Sequence, residues 1–263
     1  MTYCVGFLLE QGLVFASDSR TNAGVDYIST YSKMHVFQPA PDRLFVLMAA
    51  GNLATTQAVL NRIRRDLDGG GGAPLPSGPE LPAGEEGKSV DLRSARYLFE
   101  AADYVGRLST EVQATYATSL RQAGASGEAS FILGGQIAGQ PHGLMLIYPQ
   151  GNAVMATSDT PYLQIGESKY GKPPLDNTGH IGMSLEDAAR LCLVSQIITR
   201  RSNLTVGPPF EVALMPKDSL RISHRVKLAK EDPEIDRTME IWKRGMQQTL
   251  QRMPRFQWEE DPL

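Results

Sequence analysis

Met-Thr-Tyr-Cys-Val-Gly-Phe-Leu-Leu-Glu-Gln-Gly-Leu-Val-Phe-Ala-Ser-Asp, residues 1–18, is the stretch on which the reading of this 263-residue chain turns. Residues 2–9 form an apolar run suited to a buried strand, Glu10-Gln11-Gly12 a tight turn, and residues 13–17 a second apolar run. The stretch therefore reads as a hairpin of two core strands. Thr2 follows the initiator Met1, and aminopeptidases generally remove Met before a residue as small as Thr. Thr2 would then carry a hydroxyl and a free amine on one framework. A threonine hydroxyl is a weak nucleophile alone, and its own N-terminal amine is a recognised activating base. That amine has a reference pKa of about 7.7–8.0, suited to proton transfer near neutral pH. Met-Thr by itself is common and usually idle, so the weight rests on the residues after it.

Ser17-Asp18-Ser19-Arg20 closes the hairpin with clustered polar and charged residues. A buried carboxylate needs partners, and Arg20 and Lys33 are the nearest candidates. Strands are expected at 34–38 and 44–50, with Pro39 to Arg43 turning the chain between them. Gly51-Asn52 then opens a helix over 53–67. Residues 69–88, rich in Gly and Pro, read as a surface insertion with no fold of its own. A long amphipathic helix is expected over 94–122, with Leu98, Ala101, Val105, Leu108 and Val112 on its buried face. Four short strands follow at 129–137, 143–148, 152–157 and 161–166, and 166–175 could begin a short helix. Ser184 starts the next helix, with Asp187 as an acidic capping-box partner. Strands at 210–215 and 219–226 precede a last helix from Pro233, capped by Asp232. Its stripe is Ile235, Met239, Trp242, Met246 and Leu250.

This order of antiparallel strand runs and helices favours an α+β fold over a doubly wound parallel sheet: two packed sheets covered by helices. No repeat or domain boundary interrupts residues 1–263, which read as one domain with a C-terminal helix and tail at 230–263. The net charge of −3, without a basic run, argues against a dedicated nucleic-acid binder. Nothing resembles a signal peptide, and no apolar stretch is long enough to span a bilayer. Cys4 and Cys192 sit in apolar surroundings and read as buried thiols of a reducing cytoplasm. No His, Cys or acid spacing marks a metal site, and no cofactor is expected. His35, close to Lys33, reads as a surface or satisfied histidine before a pocket residue.

Met-Thr-Tyr-Cys (1–4), Phe-Ala-Ser-Asp-Ser-Arg-Thr-Asn-Ala-Gly-Val-Asp (15–26), Ser-Thr-Tyr-Ser-Lys-Met-His-Val-Phe (29–37), Ala-Ala-Gly-Asn (49–52) and Ile-Gly-Glu-Ser-Lys-Tyr-Gly-Lys-Pro (165–173) form a set. The set resembles proteasome-type β subunits of the N-terminal-nucleophile hydrolases, and more closely their bacterial ancestral β-subunit branch, Anbu. The likeness covers most of the chain apart from 69–88. It implies a four-layer αββα sandwich and a threonine-type peptidase or amidase. In that scheme Thr2 is the nucleophile, its amine the base, Lys33 the adjacent cation and Asp18 the group that holds Lys33. Arg20 would help neutralise the cluster.

The resemblance also implies a backbone oxyanion donor, which counting from Gly51 puts at Met48, and strand-like pairing of an extended peptide with the backbones of Asn22 and Ala50. Ser168 and Asn203 are the supporting candidates. If Glu167 replaces the serine, or Asn203 an acid, the amine loses part of its usual support. The implied partners are a peptide or amide substrate and further copies of the chain in a ring or an open helix. Two alternatives accompany this expectation: an assembly subunit with weak or lost activity, and an amidase acting on small molecules. The resemblance identifies no unfoldase.

Overall fold

The computed structural model describes residues 2–22, 28–69 and 90–259. Apart from Gly69, the insertion expected at 69–88 lies outside them. The hairpin read at the N-terminus is present as β1 (Tyr3–Leu9) and β2 (Gly12–Ser17), paired in antiparallel register from Cys4 opposite Ser17 to Leu9 opposite Gly12. All but one residue of the two strands is buried, which explains why both read as continuous apolar runs rather than alternating ones.

Next come β3 (Arg20–Asn22) and β4 (Ile28–Thr30), a short antiparallel ribbon that the residue pattern does not signal. β5 (Met34–Ala40) runs through Pro39, where a turn was expected. It keeps pairing as far as Ala40 because its register shifts between Phe37 and Ala40. β6 (Arg43–Gly51) leads into α1 (Leu53–Leu67), whose Asn52 cap accepts from the Thr55 N–H. α2 (Leu98–Gln122) begins four residues later than its pattern predicts. The Asp91 carboxylate takes the N–H groups of Arg93 and Ser94 and the Ser94 hydroxyl, which folds 91–94 into a turn instead of helix.

β7 (Ala129–Ile137), β8 (Gly143–Ile147), β9 (Ala153–Met155) and β10 (Tyr162–Gly166) match the four expected strands within two residues at each end. α3 (Lys172–Thr178) forms later than expected, after Gly171. α4 (Leu185–Ser202) is capped by Ser184, as read. β11 (Phe210–Pro216) and β12 (His224–Leu228) precede α5 (Pro233–Gln251), capped by Asp232.

Two five-stranded sheets result, ordered β10-β1-β2-β11-β12 and β5-β6-β7-β8-β9, and every recorded pairing is antiparallel. Phe15, Leu13 and Met215 of the first sheet meet Met48, Val46 and Ile132 of the second in one core. The opposite face of the second sheet packs Phe45, Leu47 and Phe131 against Val59, Ile63 and Val105 of α1 and α2. The opposite face of the first packs Tyr3, Val5 and Phe7 against Leu185, Ala188 and Leu191 of α4. Among the described residues, no helix is long and apolar enough to cross a membrane.

Candidate active site

Thr2 sits at the mouth of β1, fixed through its backbone. Its carbonyl accepts the Glu167 N–H at 2.7 Å. Gly166, at φ +83°, makes this approach possible: a Cβ there would fall 1.9 Å from the Thr2 oxygen. One residue on, the Tyr3 N–H donates to Asp18 Oδ1 at 3.0 Å, so the start of β1 and the end of β2 are tied by a side chain as well as by the ladder.

Asp18 is fully buried and wholly committed. Its Oδ1 also accepts from Lys33 Nζ at 2.5 Å, and its Oδ2 accepts the Gly207 N–H at 3.1 Å. Burial pushes the Asp18 carboxyl above its ordinary value, while the Lys33 ammonium and the two backbone N–H groups pull the other way. Lys33 Nζ makes a second bond, to the Arg20 carbonyl at 2.6 Å. Arg20 thus contributes its backbone to the cluster. Its guanidinium does not neutralise Asp18 as expected but donates to the Leu204 carbonyl at 2.6 Å. It lies over Gly207, where a Cβ would fall 2.7 Å from Cζ.

Thr2 and Lys33 open onto one cleft of about 260 Å³. Thr21, Tyr31, Ser32 and His35 line one side, and Ala49, Ala50 and Gly51 with the α1 residues Leu53, Thr56, Gln57, Leu60 and Arg64 line the other. Ala50 is where the sequence placed it. Met48 is not in the cleft: it is fully buried between the sheets, opposite Met34 on one side and Ile132 on the other. Counting back from Gly51 ignores strand alternation. The Ala49 N–H donates to the Lys33 carbonyl and the Asn52 N–H to Glu128, so odd-numbered residues of β6 turn their N–H groups toward β5. The Gly51 N–H faces that side, past the start of β5 at Met34. In the ribbon it is Thr21 that lines the cleft, while the neighbouring Asn22 pairs with Ile28.

The supporting pair also differs from expectation. Glu167, not Ser168, is the buried residue beside Thr2. Asn203 is where it was sought, and its Nδ2 donates to Glu167 Oε2 at 2.8 Å while its Oδ1 holds Thr205. A further pair was missed altogether. Glu211 of β11 is buried and accepts from Arg225 at 2.7 Å; Arg225 also donates to the Met34 carbonyl at 3.1 Å. The Ser32 hydroxyl donates to the same Met34 carbonyl at 3.2 Å, so the residue after Lys33 is tied to the first sheet through Arg225. No local pattern announces such a pair, because its members lie some 180 residues or more from Lys33.

Other titratable groups recede from the chemistry. Burial raises the thiols of both cysteines, Cys192 to about 12, which leaves neither poised as a thiolate. His35 is pushed down to about 4, by burial first and then by Arg64 and Arg225, with Glu211 opposing. Among the described residues, no group of three or more His, Cys, Asp or Glu is gathered as a metal site would be.

No family model and no curated protein matches the chain. Solved structures match it over nearly its whole length. The Anbu (ancestral β-subunit) of Yersinia bercovieri is 39% identical, covering 97% of this chain and 100% of its own, with a TM-score of 0.81. An Anbu (Gly-1) mutant from Hyphomicrobium sp. strain MC1 is 36% identical over 97% of this chain and 99% of its own, with a TM-score of 0.84. A structure described as a helical assembly of the Anbu complex from Pseudomonas aeruginosa is 38% identical over 97% of this chain and 98% of its own, with a TM-score of 0.81. With identities well above 30% across both chains, the protein belongs to the Anbu, or ancestral β-subunit, family.

Proposed function

We infer that the chain is a threonine-type N-terminal-nucleophile hydrolase that cleaves peptide or related amide bonds inside a homo-oligomeric assembly in the cytoplasm. One observation carries this reading: Thr2 and an Asp18-paired Lys33 line the same cleft. The three cores, helix to sheet, sheet to sheet and sheet to helix, fit a four-layer αββα sandwich of the N-terminal-nucleophile type.

After Met1 is removed, the neutral Thr2 amine takes the proton of the Thr2 hydroxyl as Oγ attacks the amide carbonyl carbon. Lys33 Nζ, which opens onto the same cleft, stabilises the developing negative charge on oxygen. The Gly51 N–H is the donor best aimed at the oxyanion, and a preorganised donor of that kind is worth about 3–4 kcal/mol of barrier. The ammonium then returns its proton to the leaving amine as the C–N bond breaks, leaving an acyl ester on Thr2. A water, deprotonated by the freed amine, releases the acid and restores Thr2. Glu167 and Asn203 support the N-terminus in place of the serine and acid expected there. That substitution favours a second reading, an assembly subunit of low turnover.

The test is turnover of a fluorogenic peptide amide. Thr2→Ala should abolish it with the fold intact, and Thr2→Ser should keep part of it. Undiminished turnover in Thr2→Ala, in material free of other peptidases, would remove Thr2 from the chemistry.

A further inference from the structure

The cleft beside Thr2 is not chemically uniform. At its near end stand Thr2, Lys33 and the β6 backbone. It then runs along one ridge of α1, from Leu53 past Leu60 to Arg64. Residues four apart stack along a helix, and the eleven residue steps from Leu53 to Arg64 span about 16 Å of axis. Helical side chains lean back toward the N-terminus, which carries the Arg64 guanidinium toward the cleft. Its hydrogen bond to Asn61 Oδ1, at 3.2 Å, shows this lean.

The charges of this cleft do not balance. Lys33 is matched by Asp18. Arg64 is matched by an amide rather than a carboxylate, and among the described residues no carboxylate lines the cleft. His35 lines the same cleft; burial first and then Arg64 hold it below its ordinary value, with Glu211 opposing, and Arg64 is the charge of the far end that no carboxylate matches. Leu53 and Leu60 offer a short apolar wall before that end is reached. An apolar stem ending in an anion fits this sequence of surfaces.

We propose that this cleft selects substrates with a carboxylate side chain, glutamate above all, at the residue whose carbonyl Thr2 attacks, with Arg64 as the specificity-determining residue. The inference rests on the cleft being the substrate site. Glutamate suits it better than aspartate, since its extra methylene covers the Leu53–Leu60 wall. Arg64 is exposed, so its pairing is screened by water and salt, and the expected preference is modest.

The test measures binding to the Thr2→Ala protein, full-length and assembled, so that no turnover is needed. Three capped tetrapeptides are compared by fluorescence polarisation: one ending in glutamate amide, one in glutamine amide, and one in glutamine with a free C-terminal carboxylate. The glutamate amide should bind about threefold to fivefold more tightly than the glutamine amide in low salt. Arg64→Met should erase that difference. Equal affinity for the two amides, or a preference that survives Arg64→Met, overturns the proposal. Tighter binding of the free C-terminal acid than of the glutamate amide overturns the assignment to a side chain. A glutamate preference in a protein that cleaves nothing when Thr2 is restored would sustain this inference and defeat the hydrolase reading. Cleavage without the preference would do the reverse.

Discussion

At the N-terminal end of the chain, Tyr3, Cys4, Val5 and Phe7 have no exposed surface, and Asp18 beside them has both carboxylate oxygens bonded. At the other end, α5 buries only Ile235, and Met239 leans with Leu228 of β12 on the small core that Ile235 forms with Leu193, Ile197 and Phe210. Beyond them Ile241, Met246 and Leu250 are exposed, and Phe256 and Trp258 stack on each other with Trp258 72% exposed. Both regions read as apolar in the sequence. The first is complete within one chain, whereas the second presents a face that one chain does not cover. Exposed apolar surface of this extent marks contact sites. One solved relative, the Pseudomonas aeruginosa Anbu, is described as a helical assembly. Heterologous contacts of this kind close into rings or continue as helices according to the rotation between neighbours.

The sharpest way to break this contrast is at Asp18. Asp18→Asn leaves the buried Lys33 ammonium without its counter-charge. Removing one partner of a buried pair costs about 3–5 kcal/mol. Urea denaturation should show that loss, and amide turnover should disappear with it. A variant that unfolds at the wild-type urea concentration would mean the N-terminal cluster is less closed than its hydrogen bonds indicate.

Truncation at the other end should act in the opposite manner. Removing residues 254–263 takes away Phe256 and Trp258, which contribute nothing to the subunit's core. Native mass spectrometry should show a shift toward smaller species. The melting temperature of the subunit should fall by less than about 3 °C, the equivalent of roughly 1 kcal/mol in a chain of this size. A large drop in melting temperature with assembly intact would return the tail to the core.

The smallest expected effect concerns pH and sharpens the contrast without breaking it. Desolvation of the half-buried His35 ring pushes it down to about 4 in the folded chain. An unfolded histidine titrates near about 6.5. Between those values the unfolded chain binds a proton that the folded chain refuses, so stability falls as pH drops through that window. His35→Gln should reduce this acid sensitivity slightly, by urea midpoints at pH 7 and pH 5. An identical change between the two pH values in both proteins would place the His35 ring in water.

Much of this architecture can be read from local pattern, and what cannot has a common cause. Asn52 before an amphipathic run fixes the start of α1, and Asp232-Pro233 does the same for α5, because a cap and a helical face are both local signals. The ribbon of β3 and β4 escapes such reading, since two three-residue polar strands have no period to detect. α2 starts late because the side chain of Asp91 competes for backbone N–H groups that a helix would otherwise use. In the site, Thr2, Asp18 and Lys33 were legible from their sequence motifs. Met48 was not, because one residue of shift along a strand exchanges core for cleft. Glu167 was separated from Ser168 only by its bond to Thr2 and its burial, and Glu211 only by its pairing with Arg225, which reaches Met34 of the other sheet.

The proposed chemistry depends on the free amine of Thr2 activating its own hydroxyl. Intact mass spectrometry combined with peptide-amide turnover tests it directly, on preparations in which Met1 is removed to different extents. Activity should rise in proportion to the fraction of chains that begin at Thr2, with none from chains that keep Met1. Full activity in protein that retains Met1 would contradict it.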